Sequence, residues 1–168
     1  AMDVEKTLTI IWHSRTGGSR ALAEAAADAA RAAAPDIAVM LRRAEEVDAA
    51  ALIASDAFLF IAPENLAALS GAMKEMFDRT YYAVLGQIEG RPYASIICAG
   101  SDGSGAQRQL DRIVTGWRLR RVAEGLIVNT GAQTGAAIWA AKVIGDADRA
   151  AAAARGTALA VGLADGIF

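Results

Sequence analysis

Residues Ser14, Arg15, Thr16, Gly17, Gly18 and Ser19 place three hydroxyls, two glycines and a guanidinium in one hexapeptide. The hexapeptide follows a β-branched and aromatic run, TLTIIW, and precedes an alanine-dominated stretch over residues 20–34. A strand-to-helix turn of this composition suits a phosphate. The start of a helix offers unpaired N–H groups and a positive dipole end, glycines let the backbone approach closely, and hydroxyls add donors. The segment lacks the Gly-Lys-Ser/Thr of a triphosphate loop and also the pattern G-x-G-x-x-G, which disfavours a nucleoside triphosphate or a dinucleotide pyrophosphate. A loop that uses hydroxyls rather than lysine fits a buried phosphate monoester. The plainer alternative makes Ser19 an ordinary helix N-cap that needs no ligand.

Other chemistry-bearing residues are sparse. One histidine, His13, argues against a Ser–His–Asp triad or a His-rich metal site, and one cysteine, Cys98, excludes an internal disulfide framework. His13 adjoins the hydroxyl-rich loop, where it can donate to a phosphate, act as a proton donor or simply complete a hydrogen-bond pattern. Cys98 lies in an apolar run and reads as a small hydrophobe. Lys74 and Asp78 stand i, i+4 as a surface pair. Arg118, Arg120 and Arg121 form a small basic cluster, suited to a pyridine-nucleotide phosphate, to a partner's carboxylates or to a solvated helix end. Trp117 falls on a helical core stripe, and Tyr81, Tyr82 and Trp139 read as packing or subunit-contact residues. No catalytic acid–base cluster and no metal-ligand spacing is present in the sequence.

Strands and helices must alternate to position these residues. Apolar runs at residues 7–12, 37–41, 57–62, 93–99 and 122–129 read as strands, the last interrupted at Glu124 and Gly125. Helical patterns occupy residues 20–34, 45–55, 70–85 and 146–165, and Leu110, Ile113, Val114 and Trp117 mark one more. Such alternation implies a parallel sheet covered on both faces, because parallel neighbours need crossover connections. Ligands then bind beyond the carboxyl ends of the strands, where the strand order reverses. Residues 14–19, 63–71 (PENLAALSG) and 100–105 (GSDGSG) are the loops at that edge after strands one, three and four.

Composition bounds the rest. Alanine accounts for 41 of 168 residues, so the hydrophobic fraction of 54% signals closely packed helices rather than a membrane protein. Seventeen Lys and Arg against 19 Asp and Glu give a net charge of −2, which provides no electrostatic case for nucleic acid or an anionic membrane surface. The expectation is one domain over residues 1–168 of a soluble, cytoplasmic protein, with Ala1 a tag remnant before Met2.

Residues 10–19 (IIWHSRTGGS) resemble the flavodoxin-like phosphate loop, a hydrophobic strand followed by Ser/Thr-x-Thr-Gly-x-Thr/Ser. Residues 55–82, with Pro63 after the third strand and then Ser70, Gly71, Lys74, Phe77, Asp78 and Arg79, look like the NAD(P)H-dependent FMN reductase and flavodoxin-like quinone reductase branch. Residues 92–105 extend the similarity. The resemblance implies an α/β three-layer sandwich with a five-stranded parallel sheet in the order 2-1-3-4-5. It implies that Ser14, Arg15, Thr16, Gly17, Gly18 and Ser19 hold the FMN phosphate. Ala62, Pro63, Glu64 and Asn65 would follow the ribityl chain and ring edge, and Gly100, Ser101 and Asp102 the other side of the ring.

The activity so implied is hydride transfer from NAD(P)H, through FMN, to a small acceptor such as a quinone. Alternatives are a flavodoxin-type electron carrier and a flavin-free interaction module of the same fold. Flavodoxin-like proteins often stack an aromatic side chain on the flavin from the second or third loop. Here those loops offer only Leu66, Ala67, Ala68 and Leu69, so a homodimer or higher homo-oligomer is expected to close the site.

Overall fold

β-branched and aromatic runs become strands here, and alanine-rich runs become the helices that cover them. The computed structural model describes residues 5–168; the expected tag remnant at Ala1 lies outside them. In chain order the elements are β1 (Thr7–Trp12), α1 (Gly18–Ala33), β2 (Ala38–Arg43), a 3-10 turn (Ala44–Glu46), α2 (Ala49–Ile53), β3 (Ala57–Asn65), β4 (Ala68–Leu69) and α3 (Gly71–Val84). Then follow β5 (Pro92–Ala99), α4 (Ser104–Gly116), β6 (Arg120–Arg121), β7 (Leu126–Asn129), α5 (Gly135–Trp139) and α6 (Asp146–Ala164).

The sheet runs β2-β1-β3-β5, and β6 and β7 both lie parallel against β5. Counting β6 and β7 as the two halves of one interrupted strand gives five positions in the expected order. The interruption falls at residues 122–125, where a Cβ on Gly125 would stand only 2.2 Å from the Gln107 amide oxygen. β1 pairs in parallel with both β2 and β3, so the strand order reverses around it. That reversal opens a crevice at the carboxyl edge.

Side chains of β3 alternate between two cores, as a doubly covered sheet requires. Leu59 and Ile61 join α1 and α6 on one face, with Leu22, Ala26 and Leu159. Phe58, Phe60 and Ala62 join α3 and α4 on the other, with Met73, Phe77, Leu110 and Trp117. Small residues let α1 and α6 approach until a Cβ on Gly156 would lie 2.2 Å from the Ala26 carbonyl oxygen. The alanine content of the chain therefore buys close helix packing rather than bulk.

Two local details depart from the expected pattern. α1 starts at Gly18, two residues early, with Gly17 as N-cap at φ 94°. Ser19 is therefore inside the first turn and is not the cap. The second segment at the carboxyl edge, residues 63–71, is partly ordered as a hairpin: Glu64 pairs with Leu69 and Asn65 with Ala68, antiparallel. Leu66 and Ala67 make the two-residue turn at φ 52° and 65°, a conformation that ordinarily selects Asn and Gly.

Candidate functional site

The loop after β1 is fastened at both ends. Ser14 Oγ accepts from the Gly17 N–H at 3.0 Å, and Gly17 takes the left-handed conformation that turns the chain into α1. Gly18 is required by close packing: a Cβ there would lie 2.8 Å from Cys98 Sγ. Ser19 is buried, and its Oγ is the buried side-chain polar atom that has no hydrogen-bond partner among the described residues. An orphaned hydroxyl in the first turn of a 16-residue helix, beside N–H groups that have no helical acceptors, is a donor set shaped for an oxyanion.

Loops two and three are tied together by one carboxylate. Glu64 Oε1 accepts from the Gly103 N–H at 3.0 Å and Oε2 from the Ala106 N–H at 2.9 Å. The start of α4 is thus already neutralised by a side chain from β3, whereas no side chain caps the start of α1. Gly105 lets the loops meet, since a Cβ there would lie 2.2 Å from the Ala67 carbonyl oxygen. Leu69 N–H also donates to Gln109 Oε1 at 2.7 Å. Asp102 lies fully exposed at φ 62°, and hydrogen bonds from Ser104 hold its carboxyl below the usual range.

A fourth segment closes the crevice. After β7, Thr130 N–H donates to the Ala99 carbonyl at 2.8 Å and Gln133 Nε2 to that of Gly100 at 3.0 Å. α5 follows, and Lys142 N–H then donates to the Thr16 carbonyl at 2.8 Å, binding this strap to the loop after β1. The Lys142 ammonium caps the end of α5 through the carbonyls of Ala137, Ile138 and Ala140 at 2.9, 2.9 and 2.7 Å.

Together these segments enclose a cleft of about 790 Å³, within the range of small-molecule sites. Of the residues singled out from the sequence, Ser14, Arg15, Thr16, Gly18, Ser19, Pro63, Glu64, Asn65, Gly100 and Ser101 line it. Three do not. Gly17 shapes the turn, Ala62 is wholly buried in the α3–α4 core, and Asp102 turns to solvent. Sequence reasoning missed Thr130, Ala132, Gln133, Ile138 and Lys142, which also line the cleft. The usable signal was the fifth strand itself, whose carboxyl end lies at the same edge.

The remaining candidates have structural surroundings. His13 Nδ1 hydrogen-bonds Ser70 Oγ at 2.8 Å, tying the end of β1 to the start of α3. Burial pulls its pKa below 6.5, against the opposing attraction of Glu45 at 3.9 Å. Burial also pushes the Cys98 thiol up, so it is a protonated packing residue. Lys74 pairs with Asp78 at 2.6 Å, and Arg79 hydrogen-bonds the carbonyls of Val47 and Ala44. Arg118, Arg120 and Arg121 do not form a nucleotide site on this cleft: β6 pairs with Pro92 and Tyr93 at the amino end of β5, across the sheet from it. Arg121 there faces Asp111 at 3.8 Å. No helix among the described residues is long and apolar enough to cross a membrane.

Solved structures share this architecture. A flavodoxin from the domain Archaea superposes with a TM-score of 0.74 at 14% identity, covering 94% of this chain and 98% of that one. A WrbA-like flavodoxin from Agrobacterium tumefaciens gives 0.66 at 18% identity, covering 96% and 99%. The Flv1 flavodiiron core from Synechocystis sp. PCC6803 gives 0.76 at 17% identity, over 96% of this chain but 36% of that one. At these identities the likeness shows the fold, which is flavodoxin-like. No curated protein matches the sequence. The profile of the NADPH-dependent FMN reductase family matches residues 43–133, from the end of β2 to the loop after β7. With just over half of its length so matched, and with the phosphate-type loop and the crevice at the point of strand reversal, the chain belongs to the NADPH-dependent FMN reductase family.

Proposed function

We propose that this protein is an FMN-dependent oxidoreductase that accepts hydride from NAD(P)H and delivers it to a small acceptor such as a quinone. The observation that carries the reading is the buried, unpartnered Ser19 Oγ at the open start of α1. A phosphate monoester there supplies the missing partner and meets the helix dipole. Ser14, Thr16 and the first N–H groups of α1 complete the donor set, and Arg15 contributes charge at the rim. Pro63 and Asn65 on one side, and Gly100 and Ser101 on the other, form walls for the ribityl chain and ring. Glu64 acts on the walls rather than on the flavin, because both of its oxygens are engaged by α4.

When bound, FMN supplies the hydride-accepting chemistry, and the protein contributes binding, orientation and exclusion of water. Neutral His13 and the protonated Cys98 thiol fit that division, since neither is poised to exchange a proton in the cleft. Leu66, Trp139 and Val143 are 100%, 85% and 92% exposed. Their exposure supports a homodimer in which a second copy covers this side of the site.

Calorimetric titration tests the cofactor assignment. FMN is expected to bind at least about tenfold tighter than riboflavin, the difference one charge-assisted hydrogen bond supplies. Equal affinity for the two would remove the phosphate from the assignment.

A further inference from the structure

The fourth segment walls the cleft without a core of its own. Across residues 129–143 no residue is buried, and α5 within that stretch adds nothing to either core. Val128 before the stretch and Ile144 after it are both buried with α1 and α6. A helix of five residues is too short to persist by propensity, and apolar burial does not supply the difference here. Yet α5 carries Ile138, which lines the cleft, and next to it Trp139, which is 85% exposed.

Lys142 supplies what burial does not. An ammonium has three protons to donate, and three α5 carbonyls take them: Ala137 and Ile138 at 2.9 Å, Ala140 at 2.7 Å. These are carbonyls that the end of a helix leaves without backbone donors. The same residue is fixed to the phosphate-type turn. Its N–H donates to the Thr16 carbonyl at 2.8 Å, and its Cβ stands 3.5 Å from where Gly18 would carry one. One side chain therefore sets the spacing between the turn after β1 and α5. With all three protons engaged by α5, the ammonium has none left for a phosphate at the start of α1.

We propose that Lys142 is a positioning residue that latches α5 as the ring-side wall of the cleft. The proposal rests on the functional reading above, and it makes Lys142 govern affinity for the flavin ring rather than for the phosphate. The bonds from Thr130 to Ala99 and from Gln133 to Gly100 fix the entry of α5, and Lys142 fixes its exit. Without the ammonium the backbone tether to Thr16 survives, but the bonds that orient α5 are gone. Ile138 is then no longer held against the cleft, and the ring loses apolar cover. Ser14, Thr16, Ser19 and the first N–H groups of α1 are unaffected.

The test uses Lys142→Met, which keeps an aliphatic stem and the backbone bond to Thr16, and Lys142→Arg, which restores a cation. In the ligand-free protein, hydrogen exchange by NMR reads the Ile138 and Ala140 amides, which bond the Thr134 and Ala136 carbonyls. Their exchange is expected to quicken at least about fivefold in Lys142→Met, as local opening grows easier. Lys142→Arg should recover part of that protection, and the melting temperature should hold in both variants because α5 buries no side chain. Calorimetric titration is expected to show riboflavin and FMN weakened by the same factor in Lys142→Met, at least about fivefold. Inorganic phosphate, which probes the turn alone, should bind as before. Unchanged exchange at α5, or unchanged affinity for both flavins, overturns the proposal. A loss confined to FMN and inorganic phosphate also overturns it, since Lys142 would then serve the phosphate directly. The exchange measurement needs no flavin. A chain that binds neither flavin, yet loses α5 protection in Lys142→Met, keeps the latch and loses the flavin reading.

Discussion

The Glu64 carboxylate and the Gly103 amide, 39 residues apart in sequence, meet at 3.0 Å, and the same carboxylate holds Ala106 N–H at 2.9 Å. One side chain thereby caps α4 and fixes the distance between two walls of the cleft. Glu64→Ala is expected to cost about 1–3 kcal/mol of stability by leaving two helix-start donors without an acceptor. Urea unfolding measures that, and Glu64→Gln should recover part of it by accepting one of the two bonds. FMN affinity should fall alongside stability in Glu64→Ala.

Ser19 and Thr16 act on the ligand instead. Replacing Thr16 with Val and Ser19 with Ala is expected to weaken FMN binding by about 1–3 kcal/mol while leaving riboflavin affinity little changed. Removing the Ser19 hydroxyl should not destabilise the ligand-free protein, because that atom has no partner to lose. A fluorescence titration with each flavin separates the two effects.

His13 confers a pH dependence on folding. Its folded-state pKa lies below the unfolded value of 6.5, chiefly through burial. Below 6.5 the unfolded chain binds the proton more readily, so stability falls as pH drops from 6.5 toward the folded-state pKa and is complete above 6.5. Thermal melts between pH 7 and 5 should show this slope. His13→Gln should flatten it, and a slope unchanged in that variant would assign it to other groups.

Close backbone approaches make two glycines irreplaceable. Gly105→Ala would force a Cβ to 2.2 Å from the Ala67 carbonyl oxygen, and Gly156→Ala the same distance from that of Ala26. Each should destabilise by about 1–3 kcal/mol, the usual cost of overpacking. They differ in consequence: Gly105→Ala also moves a cleft wall and should weaken FMN binding, whereas Gly156→Ala disturbs only the contact of α1 with α6. Parallel melting and FMN titrations distinguish them.

Light scattering during size exclusion checks the proposed assembly. A homodimer is expected at about twice the chain mass of 17.4 kDa. A single-chain mass with FMN bound would show that one chain completes the site.

Much of this was legible in the sequence because the signals were local. The hydroxyl-rich turn after TLTIIW lies at the start of α1, and the uninterrupted apolar run AFLFIA became the doubly covered part of β3. What stayed hidden depended on distant pairings. Nothing near Glu64 in the chain announces its bonds to Gly103 and Ala106, and Lys142 reaches Thr16 across more than a hundred residues. Gly17 rather than Ser19 caps α1, because Gly18 must already pack against Cys98. The cluster at residues 118–121 was attractive by charge alone. Its place on β6 and the turn before it, opposite the cleft, is a property of the sheet and not of the local sequence.

The most direct test of the central claim is anaerobic stopped-flow mixing of the FMN-loaded protein with NADPH, followed in the visible flavin band. A reductase should bleach that band in a single turnover, and a quinone added afterwards should restore it. A protein that binds FMN tightly but keeps its colour with both NADPH and NADH would contradict the account and make the chain an electron carrier.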